Sequence, residues 1–153
     1  MRREELLERV RDAHDTLIGA LDGLTEEQAT RTGLNVEWSI KDALAHITAW
    51  EIEGARTISE IQQGTWQPRK LNKEMIDDFN REASQSRRAR SMTDVRAEFN
   101  TAHGKMLRVL QSLPDEVDES SPTYKFAEGV TFKHHDQHAA QIEEWKGRMM
   151  NDE

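Results

Sequence analysis

A chain of 153 residues without a single cysteine has the usual length of one domain and can bury a core unaided, while disulfides, thiolate ligands and a cysteine nucleophile are all excluded. Lys plus Arg number 21 against 29 for Asp plus Glu, a formal net charge of -8. A phosphate backbone is repelled on average, so nucleic acid is not an expected partner.

The opening residues MRREELLERV hold no apolar run of signal-peptide length, and nowhere is there a stretch able to span a bilayer. The expectation is therefore a cytoplasmic protein with no membrane partner. Charged residues make up 33% of the chain and hydrophobic ones 35%, but the apolar positions recur at helical intervals, which favours packed amphipathic helices over disorder.

Leu6, Leu7, Val10, Ala13, Leu17, Leu21 and Leu24 step by three and four, predicting one long helix over 2–23 that stops at Gly23. Thr25 and Gln28 have capping-box spacing and open a short helical turn before the Gly33 loop. Ser39 and Asp42 repeat that spacing, and Ile40, Leu44, Ile47, Trp50, Gly54, Ile58 and Ile61 carry a second long helix to Gly64. The segment 64–71 breaks the pattern with a Gly and a Pro, and Met75, Ile76, Phe79 and Ala83 then suggest a shorter accessory helix. Ser91 and Asp94 start another, through Val95, Phe99, Ala102, Met106 and Leu110, which ends before Pro114. Asp115 to Gly129 is rich in Asp, Glu, Ser and Pro and reads as a loop. From about Thr131, Phe132, Ala139, Ile142, Trp145 and Met149 mark the final helix. The expected fold is one all-α domain over 1–153, a bundle of four main helices with one additional short helix.

Residues four apart on a helix share a face, with Cβ atoms roughly 5 to 6 Å apart, so His134 and His138 can aim two imidazoles at one centre. Metal–nitrogen bonds of about 2.0 to 2.1 Å fit that separation. The stripe runs on through Ile142, Trp145 and Met149, so the pair should face the interior. His46, between Ala43, Ile47 and Trp50, lies near the apolar face of the second helix and could supply a third nitrogen across the core. Three imidazoles leave a coordination position for water or substrate. His135 offers an alternative pair with His138 at three-residue spacing; His134 is preferred because it continues the Trp145 stripe. His14 and His103 read as helix-surface or core-edge residues, and Asp42 as a cap. Glu53, about 10 Å beyond His46 along the same helix, is a weak candidate general base. Trp38, Trp50 and Trp145 are core or staple positions, and Trp66 sits in the Gly/Pro loop where it would cover one end. The basic cluster Arg87, Arg88 and Arg90 reads as a solvated helix end.

The run from Trp38 through Ser39, Lys41, Asp42 and His46 to Trp50 and Glu51, then Asp78 and Asn80, then His134 and His138 followed by Ile142 and Trp145, resembles the DinB-like superfamily. It is most similar to the group of four-helix bundles that includes the colibactin self-resistance protein and the DfsB proteins, and the resemblance covers nearly the whole chain. It implies that His46, His134 and His138 bind a divalent metal, zinc or nickel. It also implies chemistry on electrophilic small molecules, since such relatives include thiol-dependent transferases and isomerases, and the self-resistance protein opens a cyclopropane in a genotoxin. Where that group commonly has an aromatic after the first histidine of the pair, this chain has His135.

Three functions stay open at this level. One is a metal-dependent hydrolase or thiol transferase acting on a small-molecule substrate. The second is a metal-free protein that binds or sequesters a small molecule. The third is a structural bundle that pairs as a homodimer.

Overall fold

The protein is described by a computed structural model covering the backbone of residues 1–35 and 37–152, with side chains described except at 150–152. The remaining two positions of the expected 1–153 domain, 36 and 153, lie outside the described residues. Seven α-helices form among the described residues: α1 Arg3–Leu21, α2 Glu26–Thr30, α3 Ile40–Gln63, α4 Lys73–Arg87, α5 Met92–Gln111, α6 Pro122–Val130 and α7 Phe132–Asp152. The long helices α1, α3, α5 and α7 make the bundle, with α3 packed chiefly on α5 and α1 chiefly on α7. Helix α4 lies against α3, α6 bridges α3 and α7, and α2 fits between α3 and α5. Among the described residues no helix is long and apolar enough to cross a membrane.

The starts follow the side chains that cap them. Thr25 and Ser39 each build a complete capping box with the residue three further on, Gln28 and Asp42. The hydroxyl of Ser91 accepts from the Asp94 amide and the amide oxygen of Asn72 from Met75, satisfying backbone donors that a helix start leaves unpaired. Helix α3 stops at Gly64, which takes a left-handed conformation (φ 74°) and donates its N–H back to the carbonyls of Glu60 and Ile61; glycine adopts this conformation without a Cβ penalty.

The segment Asp115 to Gly129, expected as a loop, is helical in its second half. Ser121 caps α6 by accepting from the Tyr124 amide, and Pro122 occupies the first turn, where its missing N–H costs nothing. Tyr124 and Ala127 turn inward and are buried. The chain breaks at Thr131 (φ -117°, ψ -103°) and restarts as α7.

Two apolar clusters fill the bundle. One joins Leu17, Leu44, Ile47, Phe99, Ile142 and Trp145; the other joins Leu6, Val10, Ile58, Met106 and Leu110. Burying one such side chain contributes about 1.5–3 kcal/mol, so these clusters hold α3 and α7 at the spacing the histidines need.

Candidate metal centre

His46 projects from the second turn of α3, and His134 and His138 from successive turns at the start of α7. Their side chains meet. The Nε2 atom of His134 lies 2.9 Å from Nε2 of His46 and 3.1 Å from Nε2 of His138, and one nitrogen from each ring falls within 4.8 Å of the others. Tetrahedral bonds of about 2.0 to 2.1 Å would set such nitrogens about 3.3 Å apart, so only small ring movements separate this arrangement from a ligand set.

The outer ring atoms decide what the inner ones can do. Nδ1 of His46 lies 2.9 Å from Oδ1 of Asn80, and the indole N–H of Trp50 donates to that same oxygen at 2.7 Å. An oxygen already accepting from Trp50 is an acceptor for His46 too, so His46 carries its proton on Nδ1 and turns a bare lone pair inward from Nε2. Nδ1 of His138 likewise faces the side-chain oxygen of Gln141 at 3.0 Å, leaving its Nε2 bare. At most one proton, on His134, is then shared among three converging nitrogens. Converging lone pairs repel unless a cation sits between them, so the residues present fit a divalent ion, with Asn80 and Gln141 orienting two of the ligands.

Burial acts in the same direction. It pushes His46 down to about 4 against the opposing pull of its Asn80 hydrogen bond, and it pushes His134 down to about 3, helped by the neighbouring His138, His46 and His135. His138 is lowered as well, again mainly by burial. All three rings are therefore neutral, the form that binds metal, at neutral pH.

The segment from Trp38 to His46 builds this site through α4. Lys41, 9% exposed, donates to the carbonyls of Arg88 and Arg90 at 3.1 and 2.8 Å just past the end of α4. Asp42 serves two helices: one oxygen completes the Ser39 cap and the other accepts from the Ser84 hydroxyl on α4 at 2.8 Å. These two anchors bring α4, and Asn80 with it, against His46. The ring of Trp38 lies 4.8 Å from that of His46. The roles of Asn80, Lys41 and Gln141 were not drawn from the sequence; of these only Gln141 carried a local signal, its three-residue spacing from His138.

His135, the residue that departs from the resembling group, points away from the other two histidines of α7. It is fully buried, and its Nε2 lies 2.8 Å from a carboxylate oxygen of Glu51, also fully buried. The approach is off the hydrogen-bonding direction, leaving these atoms in electrostatic contact without an aligned bond. His14 and His103, expected at surface or core edge, stack on each other with centroids 3.8 Å apart, and His14 stacks also on Phe99. Glu53 is not brought to the three histidines; it binds Arg56 and borders a neighbouring groove. A cavity of about 270 Å³ opens directly on His46 and His134, walled by Trp50, Phe126 and Val130, with Lys125 at its edge.

The family model of the DinB superfamily matches residues 6–142. The chain belongs to the DinB superfamily. Among solved structures this DinB chain is similar to DfsB, a sibling lethal factor precursor, with a TM-score of 0.83 at 15% identity over 97% of each chain. It is also similar to a protein from Streptococcus pneumoniae (TM-score 0.80, 14% identity, 96% of this chain and 91% of that one). A third likeness is to the colibactin self-resistance protein ClbS in complex with a double-stranded DNA (TM-score 0.79, 8% identity, 94% of each chain). No curated protein sequence matches the chain. At such identities the likeness is one of fold, and it covers the whole bundle.

Proposed function

We propose that this DinB protein is a metal-dependent enzyme, a hydrolase or thiol transferase, that disarms an electrophilic small molecule at a zinc or nickel ion held by His46, His134 and His138. The observation that carries the reading is the convergence of three Nε2 atoms of which two have their outer nitrogens protonated toward Asn80 and Gln141. A divalent ion so held supplies a Lewis acid and a water or thiol nucleophile at neutral pH.

The chain's own part is positioning and exclusion of water. Trp50, Phe126 and Val130 form an apolar wall beside the histidines, against which the body of a substrate packs with its electrophilic atom toward His134. Structural neighbours described as a self-resistance protein and a lethal factor precursor add support for a substrate of the toxic, electrophilic kind. Duplex DNA, present in the ClbS complex, is less suited to this chain, where net charge is -8 and both Arg87 and Arg90 are engaged by Glu98.

The test is turnover of a panel of epoxides, activated cyclopropanes and aryl halides, with and without a small thiol, by chelator-stripped and by zinc- or nickel-loaded protein. Turnover restored by metal and absent in His134→Ala is expected. Equal turnover by stripped and loaded protein would overturn the reading.

A further inference from the structure

The cavity at the histidines is one end of something longer. Beside it lies a second cavity of about 390 Å³ and beyond that a third of about 240 Å³. Trp50 borders all three; Phe126 and Val130 are shared by the first two, and Arg69 and Leu71 by the last two. Shared walls make them one groove, running from the histidines along α3 to the 64–71 segment.

Two features of its lining bear on what it can bind. Two of the four tryptophans and two of the four phenylalanines line it: Trp50, Trp66, Phe79 and Phe126. Trp66 meets Phe126 edge-on with centroids 5.7 Å apart, and Trp50 lies 4.2 Å from Phe79, so the walls are braced in pairs. Secondly, on a chain of net charge -8, the charges facing this groove leave cations over. Arg56 is held by Glu53 and Glu60. The side chains of Lys125 at the histidine end and Arg69 at the far end have no ion-pair or hydrogen-bond partner among the described residues.

Aromatic faces bind flat apolar bodies, and an unengaged guanidinium or ammonium beside them binds an anionic group with a charge-assisted hydrogen bond. We propose that the groove is the substrate site for an elongated aromatic anion, such as an aryl carboxylate or sulfonate, stacked among Trp50, Trp66 and Phe126. Arg69 holds the anionic end and the electrophilic end reaches the histidines. The inference rests on the proposed function only for that last clause; binding of the anion requires no metal.

The experiment is a fluorescence titration, with chelator present throughout, using two probes of one skeleton: 8-anilinonaphthalene-1-sulfonate and its uncharged counterpart N-phenyl-1-naphthylamine. The sulfonate is expected to saturate one site and to bind about tenfold more tightly than the neutral probe. Arg69→Glu should weaken the sulfonate by about tenfold or more while leaving the neutral probe within about twofold. Arg69 is exposed and unbonded, so this variant keeps its fold, checked by near-ultraviolet circular dichroism. Trp66→Ala should weaken both probes. Equal affinity for the two probes, or sulfonate binding indifferent to Arg69→Glu, overturns the proposal. Because the titration is metal-free, a protein that takes up no metal yet selects the sulfonate sinks the metal reading alone, and one that takes up metal yet fails to select the sulfonate sinks this inference alone.

Discussion

Gly54 on α3 lies directly against Val130 at the end of α6, and replacing it by alanine has two opposed effects that the structure lets one weigh. An added Cβ would sit 2.5 Å from one Val130 methyl, 3.2 Å from the other and 3.3 Å from the Val130 Cβ. A β-branched side chain has little rotamer freedom, and with its Cβ crowded as well, rotation alone cannot clear the contact. Overpacking of this kind costs about 1–3 kcal/mol, whereas exchanging glycine for alanine inside a helix contributes about 0.8–1 kcal/mol in the other direction. Gly54→Ala should therefore fall between about neutral and destabilising by about 2 kcal/mol, at about 2–4 °C in Tm per kcal/mol for a chain of this size. In a Val130→Ala background both methyl contacts are gone and only the 3.3 Å approach of the Cβ remains, so the same change should be about neutral or stabilising by up to about 1 kcal/mol. Urea unfolding of the four proteins gives the coupling directly, expected at about 1–3 kcal/mol. Stabilisation by Gly54→Ala of equal size in both backgrounds would refute the close approach of the two helices, and with it the wall that Val130 gives the cavity.

Asn80→Ala removes the acceptor that fixes the proton on His46 Nδ1, and should weaken zinc or nickel binding by about 10–100-fold in calorimetric titration with little change in helix content; unchanged affinity would contradict the assigned orientation. Glu51→Ala strands the fully buried His135 imidazole and should cost about 1–3 kcal/mol in urea unfolding, part of it recovered by adding His135→Phe. Lys41→Met leaves the carbonyls beyond α4 without their donor, and faster hydrogen exchange confined to α4 is the expected sign. His14 and His103 are each held at about 4, chiefly by burial, while an unfolded histidine takes its proton near 6.5. Unfolding therefore takes up protons between about pH 6.5 and 4, so stability is fully present above that window and falls as pH falls through it. Each fully titrating group contributes at most about 1.4 kcal/mol per pH unit, less here because the pair is only partly enclosed. His103→Phe should flatten the slope of stability against pH in that window, and an unaltered slope would count against the lowered value.

What the sequence made legible was local. Helix periods and Ser/Thr caps set the starts of α2, α3 and α5, because a cap acts on the amide three residues away and needs nothing more distant. The spacing of His134 and His138 was visible for the same reason, and the apolar stripe around His46 pointed it inward. What stayed hidden depends on contacts across the chain. Asn80 is 34 residues from His46, and nothing near it in sequence foretells that α4 lies across α3. His135 next to His134 left two pairings open, and only the burial of Glu51 on the facing helix decides which ring turns away. Helix α6 was missed because its apolar content is confined to a short inward face, while Ser121 and Pro122 also suit a turn.

The metal site is tested most directly by the metal content of the untagged protein after exposure to micromolar zinc and, separately, nickel, read by elemental analysis of wild type and His138→Ala. Close to one equivalent of metal per chain is expected in the wild type, with loss of that metal in a variant whose helical circular dichroism is unchanged. A folded wild-type protein that emerges empty from both solutions would rule out metal binding by His46, His134 and His138.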